Sequence, residues 1–213
     1  YREWHERQAR LADPDHDHER LGVIRRAFDN PDHAIRPEAV AAAVDRHAAD
    51  DAIFTADTGM STVWLSRFVR MRGTRRLIGS FNLGSMANAM PQALGASALD
   101  RSRQVVAFCG DGGLTMLMGD LITAVSHDLP VVLVVFDNRS LGMVRLEQEQ
   151  GGLPWFGTDL ANPDLAEVAR ACGLHAVRVE DPHELDNAVA AALSHRGPVL
   201  LDVITNPDEV SLP

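Results

Sequence analysis

The chain has few of the residues that would mark a secreted, membrane-spanning or nucleic-acid-binding protein. Only two of its 213 residues are cysteine, Cys109 and Cys172. Without a Cys-x-x-Cys spacing or a secretory context they form no disulfide framework and read as buried thiols. No apolar run approaches the roughly 18 residues that cross a bilayer, and no charged segment followed by an apolar one opens the sequence. The expectation is a soluble, cytoplasmic chain. Basic residues are outnumbered, 20 Lys and Arg against 30 Asp and Glu, for a formal charge of −10. Such a surface repels phosphate backbones, and no basic block with interleaved aromatics offsets it, so no nucleic acid partner is expected. There is no internal repeat. What is present suits a packed domain: 46% hydrophobic and 23% charged residues argue against disorder, and the length allows one domain with an appendage.

Regular patterning starts near residue 35. Before it, Tyr1–Leu11 reads as a short charged helix, and Asp13–His18 alternates acids with histidines. His16 and His18 have the wrong spacing for one helix face and no cysteine beside them, so a solvated loop is expected rather than a metal pair. Residues 1–34 are read as a linker and the tail of a preceding domain, and residues 35–213 as one domain. With Tyr1 first rather than Met, and Pro213 last without a cap, the expectation is a fragment of a longer protein.

From Pro37 a helix is predicted with Val40, Val44 and Ala48 along one face. Ala52–Ala56 is a short buried strand, Asp57–Gly59 a turn, and Ser61–Met71 a helix with Val63, Trp64 and Phe68 on its apolar side. Gln104–Phe108 and Val131–Phe136 are continuous β-branched runs of the kind buried on both faces of a parallel sheet. A helix over Thr115–His127 lies between them. Asn162 and Pro163 read as the N-cap and first turn of a helix that ends before Gly173. Asp181, Pro182 and Glu184 read as another helix start, with Leu185, Val189 and Leu193 on its buried face, and Pro198–Ile204 as a last strand. Strands alternating with helices imply an α/β fold, a three-layer α/β/α sandwich around a mainly parallel sheet.

In such sheets ligands bind beyond the carboxyl ends of the strands. Gly110, Asp111, Gly112 and Gly113 follow one predicted strand, and Asp137 to Ser140 follow the next. Asp111 and Asn138 are 27 residues apart, and they offer one carboxylate and one carboxamide oxygen from neighbouring strand ends. With the backbone carbonyl of Ser140 they form a partial oxygen shell that magnesium accepts when phosphates and water complete it. Gly112 and Gly113 let the backbone approach a phosphate, and the following helix start adds free amides. A plain glycine-rich βα turn would look similar. A dinucleotide fingerprint is excluded because the third glycine is missing, and a P-loop because no Gly-Lys-Ser/Thr follows.

Gly-Asp-Gly followed at this distance by Asp137-Asn138 resembles the thiamin diphosphate and magnesium motif of thiamin-dependent enzymes. Gly79 to Gly95, GSFNLGSMANAMPQALG, is similar to the segment that grips the cofactor's pyrimidine ring in pyruvate oxidase and the quinone-reducing pyruvate dehydrogenase. The resemblance implies a thiamin diphosphate-binding fold and a cofactor site that includes Gly84, Ser85, Met86, Gly110, Asp111, Gly112, Gly113, Asn138, Ser140, Leu141 and Gly142. It implies that the Gly84 carbonyl receives the cofactor's amino group. Met86 is implied to wedge beneath the cofactor and hold it bent, a role suited to an unbranched, polarizable side chain; an ordinary core methionine is the alternative.

Leu141-Gly142-Met143-Val144-Arg145-Leu146-Glu147 is expected to line the substrate side, with Met143 and Glu147 as catalytic candidates. Acetohydroxyacid synthases share the Leu-Gly-Met-Val-Arg wording but place Trp where Glu147 stands, and simple pyruvate decarboxylases place a glutamate near Val144. Both departures favour an oxidase; Met143 in a position often held by Phe departs from the oxidase pattern. Trp64 and Trp155 read as core and loop aromatics, and His127 as a helix-end residue.

The implied activity is oxidative decarboxylation of pyruvate or another small 2-oxo acid, with acetolactate synthase-like carboligation or a non-catalytic phosphate-binding module as alternatives. The resemblance also implies FAD on a middle domain, to whose tail residues 1–34 would belong. An N-terminal pyrimidine-binding domain of a second subunit, a homo-oligomer (dimer or tetramer) and peripheral membrane or quinone contact in the full-length protein complete it. The chain alone is expected to bind cofactor weakly and not to turn over.

Overall fold

The computed structural model describes residues 35–207. The charged helix expected over Tyr1–Leu11, the Asp13–His18 run and the linker assignment of 1–34 lie outside them. Within the described residues the elements alternate: α1 (Pro37–His47), β1 (Ile53–Ala56), α2 (Met60–Phe68), β2 (Arg76–Gly79), α3 (Ala89–Leu99) and β3 (Val105–Gly110). There follow α4 (Asp111–Leu117), a 3-10 turn (Met118–Asp120), α5 (Leu121–Ser126), β4 (Val131–Asp137) and α6 (Gly142–Gln150). The last four are α7 (Leu165–Ala171), β5 (His175–Val179), α8 (Leu185–Ser194) and β6 (Val199–Ile204).

The six strands form one sheet in the order β2-β1-β3-β4-β6-β5, and every pairing is parallel. Because side chains alternate across a strand, β3 sends Val106 and Phe108 to one face, where they meet α1, α2 and α8. It sends Val105, Ala107 and Cys109 to the other, beneath α3, α5 and α7. Both faces are covered, which is the expected three-layer α/β/α fold. Cys109 is a core residue, and its burial pushes the thiol well above its ordinary value; Cys172 is a free, half-buried thiol.

β2 and β5 were not legible in the sequence, and both are edge strands. Arg76 and Ile78 of β2 and His175 of β5 are exposed, so the continuous apolar signature of a central strand is missing. The helix predicted over Thr115–His127 starts earlier, at Asp111, and is broken by the 3-10 turn around Gly119, a residue that weakens a helix interior. Asn162 is not the N-cap of α7. That cap is Asp164, whose Oδ1 accepts from Glu167 N at 2.8 Å; Gly173 closes the helix with φ +97°. Similarly, Asp181 and Pro182 form a turn before α8, in which Asp181 Oδ1 accepts from His183 N at 2.8 Å, and Glu184 takes the cap position.

The end of α1 away from the strand carboxyl ends is pinned by Arg75, whose side chain is fully buried. Its Nη1 donates to Asp45 Oδ1 at 2.6 Å, its Nη2 to Ala48 O at 2.6 Å and its Nε to Ala49 O at 2.9 Å. A cation there satisfies the last carbonyls of the helix and a buried carboxylate together. No helix among the described residues is long and apolar enough to cross a membrane.

Candidate functional site

All six strands run the same way, so their carboxyl ends share one edge, and β3 and β4 are in register with Gly110 opposite Phe136. Asp111 therefore leaves β3 level with Asp137 of the adjacent strand, and Asn138 follows one residue further along. A cavity of about 310 Å³ opens there. Gly110, Asp111, Gly112 and Gly113 form one wall, and Asn138, Ser140, Leu141, Gly142 and Met143 a second. Gly84 and Met86 approach from the loop before α3, and Glu147 lies on the α6 side. Of the residues expected at the site, only Ser85 is not in the lining: its carbonyl accepts from Asn88 Nδ2 at 2.6 Å and from Thr58 N at 3.4 Å, so it shapes the loop instead.

The oxygen donors suit a hard cation. Asp111 is buried at the start of α4; Oδ1 accepts from Gly112 N at 2.9 Å and Oδ2 from Asn162 Nδ2 at 2.8 Å. Asn138 Oδ1 accepts from Ser140 N at 3.0 Å, which aims the carboxamide and leaves a second lone pair. Ser140 forms an antiparallel bridge with Asp159, but the bonds that make it, Leu141 N to Thr158 O at 2.8 Å and Leu160 N to Arg139 O at 2.9 Å, run through the flanking residues. The Ser140 carbonyl takes no part in the bridge. Burial, and the neighbouring Asp137 carboxylate, raise the Asp111 carboxyl to about 7 against the opposing pull of Gly112 and Asn162. A divalent cation would relieve that cost. Among the described residues no group of three or more His, Cys, Asp or Glu is placed to hold a metal; a set of one carboxylate, one carboxamide and one carbonyl is a different arrangement.

Two residues of this region escaped the sequence reading. Asp57, expected only in a turn, is buried, and its carboxylate accepts from Ala89 N at 2.8 Å and Gly110 N at 3.2 Å. It ties the loop that carries Gly84 and Met86 to the strand end that carries Asp111. Burial raises its pKa, opposed by these backbone amides. Asn162, read as a cap, donates to Asp111 Oδ2 and also to Asp137 Oδ1 at 2.9 Å. A buried strand that ends on Asp was the available signal for the first; nothing in the spacing marked the second.

Met86 is 38% exposed and faces the cavity, so it is not an ordinary core methionine. A Cβ on Gly112 would lie 3.6 Å from its Cε and 3.1 Å from Leu141 Cδ2, which places Met86 and Leu141 about the bare backbone of Gly112. Gly84, at φ +62°, adopts a turn conformation that other residues rarely do. Trp64 is buried, as expected, though it also reaches the cavity wall. Trp155 is exposed, and the Arg145 guanidinium stacks 3.5 Å from its ring centroid.

A family model described as "Thiamine pyrophosphate enzyme, C-terminal TPP binding domain" matches residues 57–203. The chain belongs to the thiamine pyrophosphate enzyme family. Thiamine pyrophosphate is thiamin diphosphate, so the cofactor class inferred from Asp111 and Asn138 stands. Among curated relatives, the Bacillus subtilis protein named "Putative thiamine pyrophosphate-containing protein YdaP" is 39% identical over 170 residues, 80% of this chain and 30% of its own length. The acetolactate synthase large subunit of Parasynechococcus marenigrum is 38% identical over 173 residues, 80% of this chain and 28% of its own. Acetolactate synthase of Bacillus subtilis is 31% identical over 169 residues, 78% and 30%. The chain thus spans about three tenths of the length of these relatives. Two of these three names carry acetolactate synthesis and none carries the pyruvate oxidation expected from Gly79–Gly95 and Glu147, so the membership established is that of the thiamine pyrophosphate enzymes as a whole.

Proposed function

We propose that the chain is the thiamin diphosphate- and magnesium-binding part of an enzyme that decarboxylates a 2-oxo acid and joins the retained acyl unit to a second 2-oxo acid. The observation that carries the cofactor assignment is the convergence of Asp111, Asn138 and Ser140 on one cavity, with Met86 across it beside Gly112. Relatives named acetolactate synthase support carboligation.

When bound, thiamin diphosphate supplies the nucleophilic carbon and the electron sink; the protein supplies position and electrostatics. Asp111, Asn138 and the Ser140 carbonyl would hold magnesium. Gly110, Gly112 and Gly113 would offer bare backbone to the diphosphate, while the Gly84 carbonyl and Met86 would face the pyrimidine side, on a loop that Ser85 shapes. Leu141 and Gly142 belong to the wall that carries Asn138. Met143 and Glu147 would face the substrate, pyruvate or a similar 2-oxo acid.

Glu147 supports a second reading, oxidation, since this exposed acid stands at the cavity where the synthase pattern has Trp. FAD, quinone and peripheral membrane contact belong to that reading. Under either, a cytoplasmic homo-oligomer and an N-terminal pyrimidine-binding domain of a second subunit would complete the site, and residues 1–34 would join this domain to the one before it.

Titration of thiamin diphosphate with and without magnesium, in wild type and Asp111→Ala, tests the assignment. Binding that ignores both magnesium and the substitution refutes it. Pyruvate added to the full-length protein separates the two fates: acetolactate without flavin bleaching supports carboligation, and bleaching supports oxidation.

A further inference from the structure

We infer that Asn162 is a positioning residue for the cation. The segment 158–162 straps across the site and reaches two of the three proposed ligands by different means. At one end, its backbone bonds to Arg139 and Leu141 hold the turn that carries the Ser140 carbonyl. At the other, the single amide nitrogen of Asn162 donates to Asp111 Oδ2 at 2.8 Å and Asp137 Oδ1 at 2.9 Å. This role deepens the proposed function and rests on it.

The chemistry of the pair explains the choice of residue. Asp111 and Asp137 follow and end adjacent strands, and both are buried. Two carboxylates need a donor between them, and a neutral carboxamide gives one without adding a cation that would compete with magnesium. Among the described residues Asp137 Oδ2 has no hydrogen-bond partner and is shielded from solvent, so that side chain is held through Oδ1 alone, by Asn162 at 2.9 Å and the Arg139 amide at 3.3 Å. With Gly112 N on Oδ1 and Asn162 on Oδ2, the Asp111 carboxylate is held in one plane before any cation arrives. Removing an outer-shell partner of this kind costs on the order of 10–100-fold in metal affinity.

The test compares wild type, Asn162→Ser and Asn162→Leu in the full chain, using Mn2+ as an electron paramagnetic resonance probe at saturating thiamin diphosphate. The Mn2+ dissociation constant is expected to rise in the order wild type, Ser, Leu, reaching at least tenfold for Leu. The thiamin diphosphate constant at saturating Mn2+ should stay within about twofold, a split that a general loss of structure would not give. Should Asn162→Leu fail to fold, Asn162→Ser decides: a weakened Mn2+ constant supports the role, and an unchanged one overturns it. Variants that match a binding wild type overturn this role alone, whereas a wild type that binds no cation overturns the role and the proposed function together.

Discussion

The Asp57 carboxylate and the backbone of Gly113 touch so closely that no side chain fits between them: a Cβ at 113 would lie 2.2 Å from Asp57 Oδ2. The same carboxylate receives the amides of Ala89 and Gly110, so the start of α4, the end of β3 and the start of α3 meet on one buried acid. The glycine at 113 is therefore a packing requirement of the fold, besides any contact with a phosphate.

Gly113→Ala should accordingly destabilise the chain strongly, since the obstacle is a hydrogen-bonded carboxylate that cannot swing away; overpacking of this kind costs about 1–3 kcal/mol or more. Gly110 is the control, because among the described residues a Cβ there meets nothing within 4 Å and its φ is −76°. Gly110→Ala should unfold at nearly the wild-type urea midpoint and lose only cofactor affinity. Equal midpoints for the two variants would refute the packing account.

Asp164 and Asn162 offer a second separation, between fold and site. Asp164 caps α7 through Glu167 N, so Asp164→Ala should cost about 1 kcal/mol in chemical unfolding. It makes no bond to Asp111 or Asp137, and its cation affinity should match wild type. An Asp164→Ala protein with native stability would show that the cap contributes nothing.

How far the sequence showed this follows from where each signal comes from. Central strands β3 and β4 are buried on both faces, so their β-branched runs were visible; β2 and β5 lie at the edges and read as polar. Asp111 and Asn138 were legible because two adjacent strand ends impose a spacing. Asn162 reaches the same point from a loop, 51 residues beyond Asp111, and a loop imposes no spacing. Its neighbour Pro163 made it look like a cap, while Asp164, one residue further, does that work. Asp57 directly follows a buried strand, and that was the signal for it, though the strand is only four residues long.

Arg75 and Asp45 form a buried pair whose breakage should be felt throughout the fold yet spare the site. Asp45→Ala leaves the fully buried guanidinium with carbonyl partners only on that side and should cost about 3–5 kcal/mol. The affinity of the still-folded protein for thiamin diphosphate, measured at low temperature, should be unchanged. An affinity loss greater than the change in folded fraction would refute the separation.

The raised acids set a pH dependence whose sign can be worked out. Asp111 is carried to about 7, by burial first, and Asp202 to about 6, by burial and then by Asp137. In each case the folded chain holds a proton that the unfolded chain, with an ordinary carboxyl of 3.8, has released. Between about pH 4 and 7 the native state therefore binds more protons, and this contribution to stability falls as pH rises. Without metal, wild type should lose stability from pH 5 to 7.5 relative to Asp111→Asn, read as urea midpoints in chelator. Magnesium binding should run the other way, because the ligand is the carboxylate: affinity should drop about tenfold per pH unit below about 7 and level off above it. A magnesium affinity that is flat from pH 5.5 to 8 would show that Asp111 is already ionised throughout, or that it is not a ligand, and Asp111→Ala at pH 8 separates those outcomes.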